Sequence, residues 1–202
     1  MNEKKAIIAI CLAAVLAFSP AVSLAQGTTT FSGEAVALKA SAAGISLALS
    51  DTGALPSSGG SLSTSVASVN VLGLASADVL KSTTSGSGTS SQSQSSVASL
   101  NLLSGLVTAD VVKSNSSATC SGSQASTSGN AELVGLTVAG QSILVSNPNL
   151  SISLPGGISV IINQQTSSSG GTSGSITVNA LHVTGPSIDI VVASAQSGIT
   201  CS

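Results

Sequence analysis

The chain reads as all-β: an antiparallel sandwich or meander of about ten to twelve strands, with a β-solenoid as the alternative. Three observations carry this reading. Apolar residues alternate with small polar ones at period two, Gly- and Pro-containing turn segments punctuate the alternation, and a two-strand unit recurs within the chain. Ile45, Leu47 and Leu49 alternate with Ser46, Ala48 and Ser50, and Leu150, Ile152 and Leu154 alternate with Ser151 and Ser153. Ile176 and Val178 do the same with Thr177 and Asn179. Period two is the pattern of strands with one buried face, and the residues that populate helix surfaces are scarce. Asp51-Thr52-Gly53, Gly59-Gly60, Ser85–Gly88, Ser121–Ser123, Pro155–Gly157 and Gly170-Gly171 supply the turns. By composition Thr83–Ser96 suits a disordered linker. Strand patterns enter it from both sides, however, so two strand ends joined by a Ser/Gly turn are expected.

The repeat sets the organisation. Val66–Leu72 recurs as Val97–Leu103, and, after the extra Ser104, Gly73–Ser82 recurs as Gly105–Ser114. Twelve of these seventeen positions are identical. A weaker third copy spans 175–192, so the copies lie at 66–82, 97–114 and 175–192 within one domain, 26–202. Strand parity assigns faces. Val69/Val71, Leu100/Leu102 and Val178/Ala180 share one face; Asn70, Asn101 and Asn179 point the other way. In the second limb Ala77/Val79, Ala109/Val111 and Ile188/Ile190 are expected inside, with Asp78, Asp110 and Asp189 outside. Gly73 and Gly105 suit tight hairpins. The copies are few and unevenly spaced, which favours the sandwich over a solenoid.

The first 25 residues read as an export signal. Lys4 and Lys5 precede thirteen uncharged residues, Ala6–Phe18, and Ser23-Leu24-Ala25 offers a small-x-small cleavage site before Gln26. A transmembrane anchor is the alternative, but Ser19-Pro20 interrupts the run short of the roughly 20 apolar residues a span needs. Cys11 follows Ile10 rather than a small residue, against lipidation there. Cleavage leaves Cys120 and Cys201, which in an exported chain read as a disulfide, with two unpaired thiols as the alternative.

Composition excludes several function classes. Of 202 residues, 61 are Ser or Thr, 6% are charged and 1% aromatic. Three lysines (Lys39, Lys81, Lys113) beyond the signal cannot form a nucleic-acid footprint. One histidine and two cysteines cannot build a zinc finger or iron–sulfur site, and the missing aromatics remove stacking platforms. No cofactor or metal is expected. His182, with Asp189 and a serine, could be imagined as a hydrolytic triad, but no Gly-x-Ser-x-Gly elbow exists. Parity sets His182 on the face of Val178 and Ala180, as a structural strand-end residue. Asp78, Asp110 and Asp189 with Asn70, Asn101 and Asn179 could be imagined around calcium. Isolated acids on strands fit hydrogen bonding to turns better. Asn115-Ser116-Ser117 and Asn149-Leu150-Ser151 match the glycosylation pattern, which a Ser-rich chain reaches by chance. An ice-binding face would need ranks of Thr-x-Thr, and the only threonine cluster is Thr28–Thr30.

Several segments resemble the choice-of-anchor P family of exported prokaryotic proteins. They are Asp51–Pro56, the Ala-Asp-Val-x-Lys-Ser units at Ala77 and Ala109, Ala118–Gly122, Val134–Gly140, Ile176–Val183 and Ile199-Thr200-Cys201. The resemblance implies a surface or extracellular role without an assigned activity. Family members carry C-terminal anchors. This sequence stops one residue after Cys201 without a hydrophobic tail or sorting motif, and Leu55-Pro56-Ser57-Ser58-Gly59 reads as a turn rather than a sortase signal. The expectation is therefore a secreted or loosely surface-associated structural or adhesion-type protein. It would be non-enzymatic, with a surface or matrix partner, no nucleic acid and no transmembrane segment after cleavage. The alternative is a self-assembling subunit of an extracellular fibre, layer or matrix.

Overall fold

The computed structural model describes residues 28–42, 44–71, 73–144 and 147–202; the export-signal reading of residues 1–25 lies outside them. Thirteen strands occur among the described residues, joined by turns and one 3-10 turn, Leu103–Gly105. They are β1 (Thr30–Ala42), β2 (Ile45–Asp51), β3 (Gly60–Val71), β4 (Ala75–Ser87), β5 (Ser90–Leu102), β6 (Val107–Ser121) and β7 (Gln124–Val134). Short β8 (Thr137–Val138) and β9 (Gln141–Ser142) precede β10 (Leu150–Leu154), β11 (Ile158–Gly170), β12 (Ser173–Gly185) and β13 (Ile188–Thr200).

Two antiparallel sheets stack as a sandwich, and no solenoid coil forms. One sheet has the order β10-β11-β12-β13-β1-β2. The other runs β3-β4-β5-β6-β8-β9, with β7 also on β6. Strand β1 lies over β4 and β5, β13 over β5 and β6, and β12 over β6 and β7. The repeat maps onto hairpins. Copies one and two are β3–β4 and β5–β6 in the seven-stranded sheet, and the third is β12–β13 in the other. Thr83–Ser96 is the expected pair of strand ends, turning at Gly88 (φ 58°).

The interior has three levels. At the end bearing the β1–β2, β3–β4 and β5–β6 turns lies the main core, where Leu38, Leu80, Leu102, Ile162, Leu181 and Ile190 are fully buried. At the opposite end Phe31, Leu55, Ala118, Ile199 and Cys201 form a second cluster. Between them runs a belt of buried hydroxyls. Ser82 pairs with Ser95 (3.1 Å) and Thr84 with Ser93 (2.7 Å), both within one sheet. Other hydroxyls of the belt cross between sheets. Ser93 donates to the Gln196 carbonyl (2.5 Å) and Ser91 to the Ser32 carbonyl (2.8 Å), and Ser116 pairs with Ser197 (2.8 Å). Hydroxyls of one sheet reach the other's backbone because side chains at this level are minimal: a Cβ on Gly33 would collide with Thr84 Oγ1. The bonds make burial of so many polar atoms tolerable. Among the described residues Ser114 Oγ is the one buried side-chain polar atom without a partner.

A line of left-handed residues crosses both sheets at mid-strand and overturns part of the parity reading. Ser50, Asn163 and Ala193 have φ of 49°, 51° and 50°, and register brings them into one transverse row with Ala37 and Ala180. In the other sheet Val79 (φ 47°) and Ser99 (φ 51°) play the same part, with register shifts beside Asp78. Such a residue interrupts the pleat, so the buried positions change parity beyond it. In β13 they pass from Ile190 and Val192 to Ala195, Ser197 and Ile199. In β4 they pass from Ala75 and Ala77 to Leu80, Ser82 and Thr84. Val79, expected inside with Ala77, is therefore 60% exposed, and Val112 rather than Val111 fills the core after Ala109. Unbroken alternation was the assumption that failed. The first limb follows expectation: Val69 and Val71 face in, as do Leu100 and Leu102, with Asn70 and Asn101 outside.

Candidate functional site

The repeat's polar positions do not converge on one centre. Asn70, Ser76, Asn101 and Thr108 form one rung across the outer face of the seven-stranded sheet, continued by Thr137 and Ser142. Thr108 and Thr137 share a 2.6 Å hydrogen bond. Asp78 and Asp110 are exposed on that sheet, and Asp110 lies against Gly135, where a Cβ would strike its carboxylate. Asn179 and Asp189 belong to the other sheet. No group of three His, Cys, Asp or Glu side chains able to hold a metal occurs among the described residues.

His182 sits on the outer face of the six-stranded sheet, not on the face of Val178 and Ala180. The mid-strand change of parity buries Leu181 and Val183 on either side of it. Its Nδ1 lies 2.9 Å from Gln164 Oε1 and its Nε2 3.1 Å from Asp189 Oδ1. Asn179 Nδ2 donates to the same Gln164 oxygen at 2.8 Å. An oxygen thus lies within hydrogen-bond distance of each ring nitrogen. With both nitrogens engaged, neither is aimed at a serine, as the base of a hydrolytic triad would be. Sequence reasoning paired His182 with Asp189 but missed Gln164, which only strand register brings opposite Asn179.

The outer face of the seven-stranded sheet carries an ordered polar surface. One rank is Ser63, Thr83, Gln94, Asn115 and Asn130, on β3, β4, β5, β6 and β7 in turn. The next is Ser61, Ser85, Gln92, Ser117 and Ser128. Successive members of a rank, on neighbouring strands, stand about 4.8 Å apart. A shallow depression of about 460 Å³ opens over Gln92, Gln94, Asn115, Ser117, Ser128 and Asn130. Gln94 Nε2 donates to Asn115 Oδ1 at 2.8 Å. No ionisable or aromatic side chain lines it. The adjoining rank holds the exposed Lys113–Glu132 pair at 3.4 Å. The depression thus presents amide and hydroxyl donors and acceptors.

Two further features lie along the sandwich margins. The seven-stranded sheet is bounded on one side by β3, and β7 pairs only with β6. Strand β3 is twelve residues long and contains neither charge nor proline, the two commonest devices that keep a sheet edge from pairing. Beside it, a groove of about 510 Å³ opens between the β1–β2 and β3–β4 hairpins, lined by Ala40, Ala42, Ile45, Leu47, Val71 and Leu74.

Cys120 and Cys201 are joined, with Cα atoms 5.6 Å apart. The bridge ties β6 of one sheet to the chain just past β13 of the other. No described helix is long and apolar enough to cross a membrane. Fold and surface together define the class: a disulfide-stapled, antiparallel β-sandwich with hydroxyl- and amide-rich faces. No known family, curated protein or solved structure matches the chain.

Proposed function

We propose that this is an exported, non-enzymatic protein of the cell surface or extracellular matrix that acts by display or adhesion. The carrying observation is the two-rank amide and hydroxyl array over β3–β7, with its uncharged depression. The signal-like N-terminus, the disulfide and the resemblance to exported surface proteins support the same reading. Fractionation of a bacterial host producing the full chain tests it. Protein beginning at Gln26 is expected in the medium or exposed to antibody on intact cells, and Met1-intact protein confined to the cell interior refutes it. Gln94→Glu with Ser128→Asp, which charges the array without touching the core, should lower the fraction retained on washed cells. His182→Ala should leave any hydrolytic activity of the preparation unchanged.

The second reading is a self-assembling subunit of a fibre, layer or matrix. The uncharged, proline-free edge of β3 favours it. Growth of particle size with concentration separates it from monomeric display.

A further inference from the structure

The two ranks over β3–β7 have a spacing as well as a chemistry. The depression spans β4 to β7, with Gln94 and Asn115 of one rank and Gln92 and Ser117 of the other at its middle. Neighbouring strands at about 4.8 Å make this a track about 14 Å long that runs across the strands. Along each strand the two ranks lie two residues apart, or about 6.8 Å. On β5 Gln92 and Gln94 are exposed while Ser91, Ser93 and Ser95 are buried, so the amides project from the outer face. The Gln94–Asn115 hydrogen bond holds two neighbouring amides together, and each keeps a further donor or acceptor.

We infer that this track binds one extended chain of a neutral β-1,4-linked polysaccharide, lying across the strands between the two ranks. The inference rests on the display and adhesion reading and names its ligand class. Equatorial β-1,4 linkages give a straight chain that advances per sugar by close to the about 4.8 Å between strands. About four sugars therefore cover the depression in step with β4, β5, β6 and β7. An α-1,4-linked chain coils and loses that step. A pyranose ring carries hydroxyls on both long edges, so a ring between the ranks meets one rank on each side. A sugar hydroxyl both donates and accepts, and a side-chain amide offers a donor group and an acceptor side by side. Rotation at the linkages lets the chain follow the twist of the sheet. A uronic acid polymer fits less well, because its carboxylates would shed water against groups that carry no opposite charge. The contact is made by hydrogen bonds along the chain, so binding should strengthen with length up to about four sugars.

The test is affinity electrophoresis of the secreted protein in native gels holding hydroxyethyl cellulose, with carboxymethyl cellulose and soluble amylose in parallel gels. Retardation by hydroxyethyl cellulose alone is expected. Gln94→Ala and Asn115→Ala should each weaken it about fivefold, and Gln92→Ala repeats the test in the other rank. Unchanged thermal midpoints verify that these outer-face variants fold. Gln196→Ala, on the outer face of the six-stranded sheet, should leave the retardation as it is. In calorimetric titrations cellotetraose should bind about tenfold or more tightly than cellobiose. Equal retardation by amylose or carboxymethyl cellulose overturns the inference, as does retardation that ignores all three array substitutions. Exported protein that hydroxyethyl cellulose does not retard overturns the ligand and leaves the display reading standing. Met1-intact protein confined to the cell interior overturns both.

Discussion

Removing the Cys120–Cys201 bridge with paired Cys→Ala substitutions should cost a large share of the stability. The bridge spans a sequence separation of 81. Chain-entropy arithmetic for a loop of that length gives about 15 cal/mol/K lost from the unfolded ensemble, or about 4.5 kcal/mol at 25 °C. Domains of this size have roughly 5–15 kcal/mol in total. The native arrangement around the bridge has its own supports. Cys201 N–H donates to the Thr172 carbonyl (2.7 Å), Cys120 N–H to the Thr89 carbonyl (2.8 Å), and β13 is paired on both sides. The variant should therefore fold, with a melting temperature lower by on the order of 10 °C. The chain has no Trp or Tyr, so urea unfolding is followed by far-UV circular dichroism rather than intrinsic fluorescence. A loss below about 1 kcal/mol would refute the reasoning, because the cross-link would then not be restricting the unfolded chain.

Three smaller predictions concern the interior and its mid-strand irregularity. Ser114→Ala deletes a buried hydroxyl that bonds to nothing, so stability in urea should be unchanged or rise, within about 1 kcal/mol. A clear loss would mean that the hydroxyl has a partner. Gly33→Val drives a side chain into Thr84 and Ser93 where the sheets approach, and should destabilise by roughly 1–3 kcal/mol in the same assay. Val79→Asn relieves a β-branched residue held at φ 47° with its side chain mostly in solvent, and should gain about 1 kcal/mol, read as a higher thermal midpoint.

Much of the architecture was legible because it is written in local chemistry. Period-two alternation, Gly-rich turns and the duplicated 66–82 and 97–114 units pointed to antiparallel hairpins, and hairpins are what those residues form. What misled was the assumption that alternation continues unbroken. Nothing local marks Val79 or Ala193 as left-handed; neither is Gly, Asn or Asp. Each is held there by its place in a transverse row that runs through several strands. That row turned Val79 outward and placed His182 on the opposite face from Val178.

By itself, the sequence determined the class of structure, the hairpin units, the pairing of Cys120 with Cys201 and the want of charge and aromatics that shapes every surface. These depend on residue type and near neighbours. Only the tertiary structure decided which hydroxyls are inside. Ser91, Ser93, Ser95 and Ser116 face the core while Ser61, Ser63, Ser117 and Ser128 face solvent, although all are the same side chain in similar strands. A serine is small and polar enough for either place, so its own chemistry does not choose. The choice falls to the parity of the strand and to whether a carbonyl or hydroxyl of the facing sheet stands within reach.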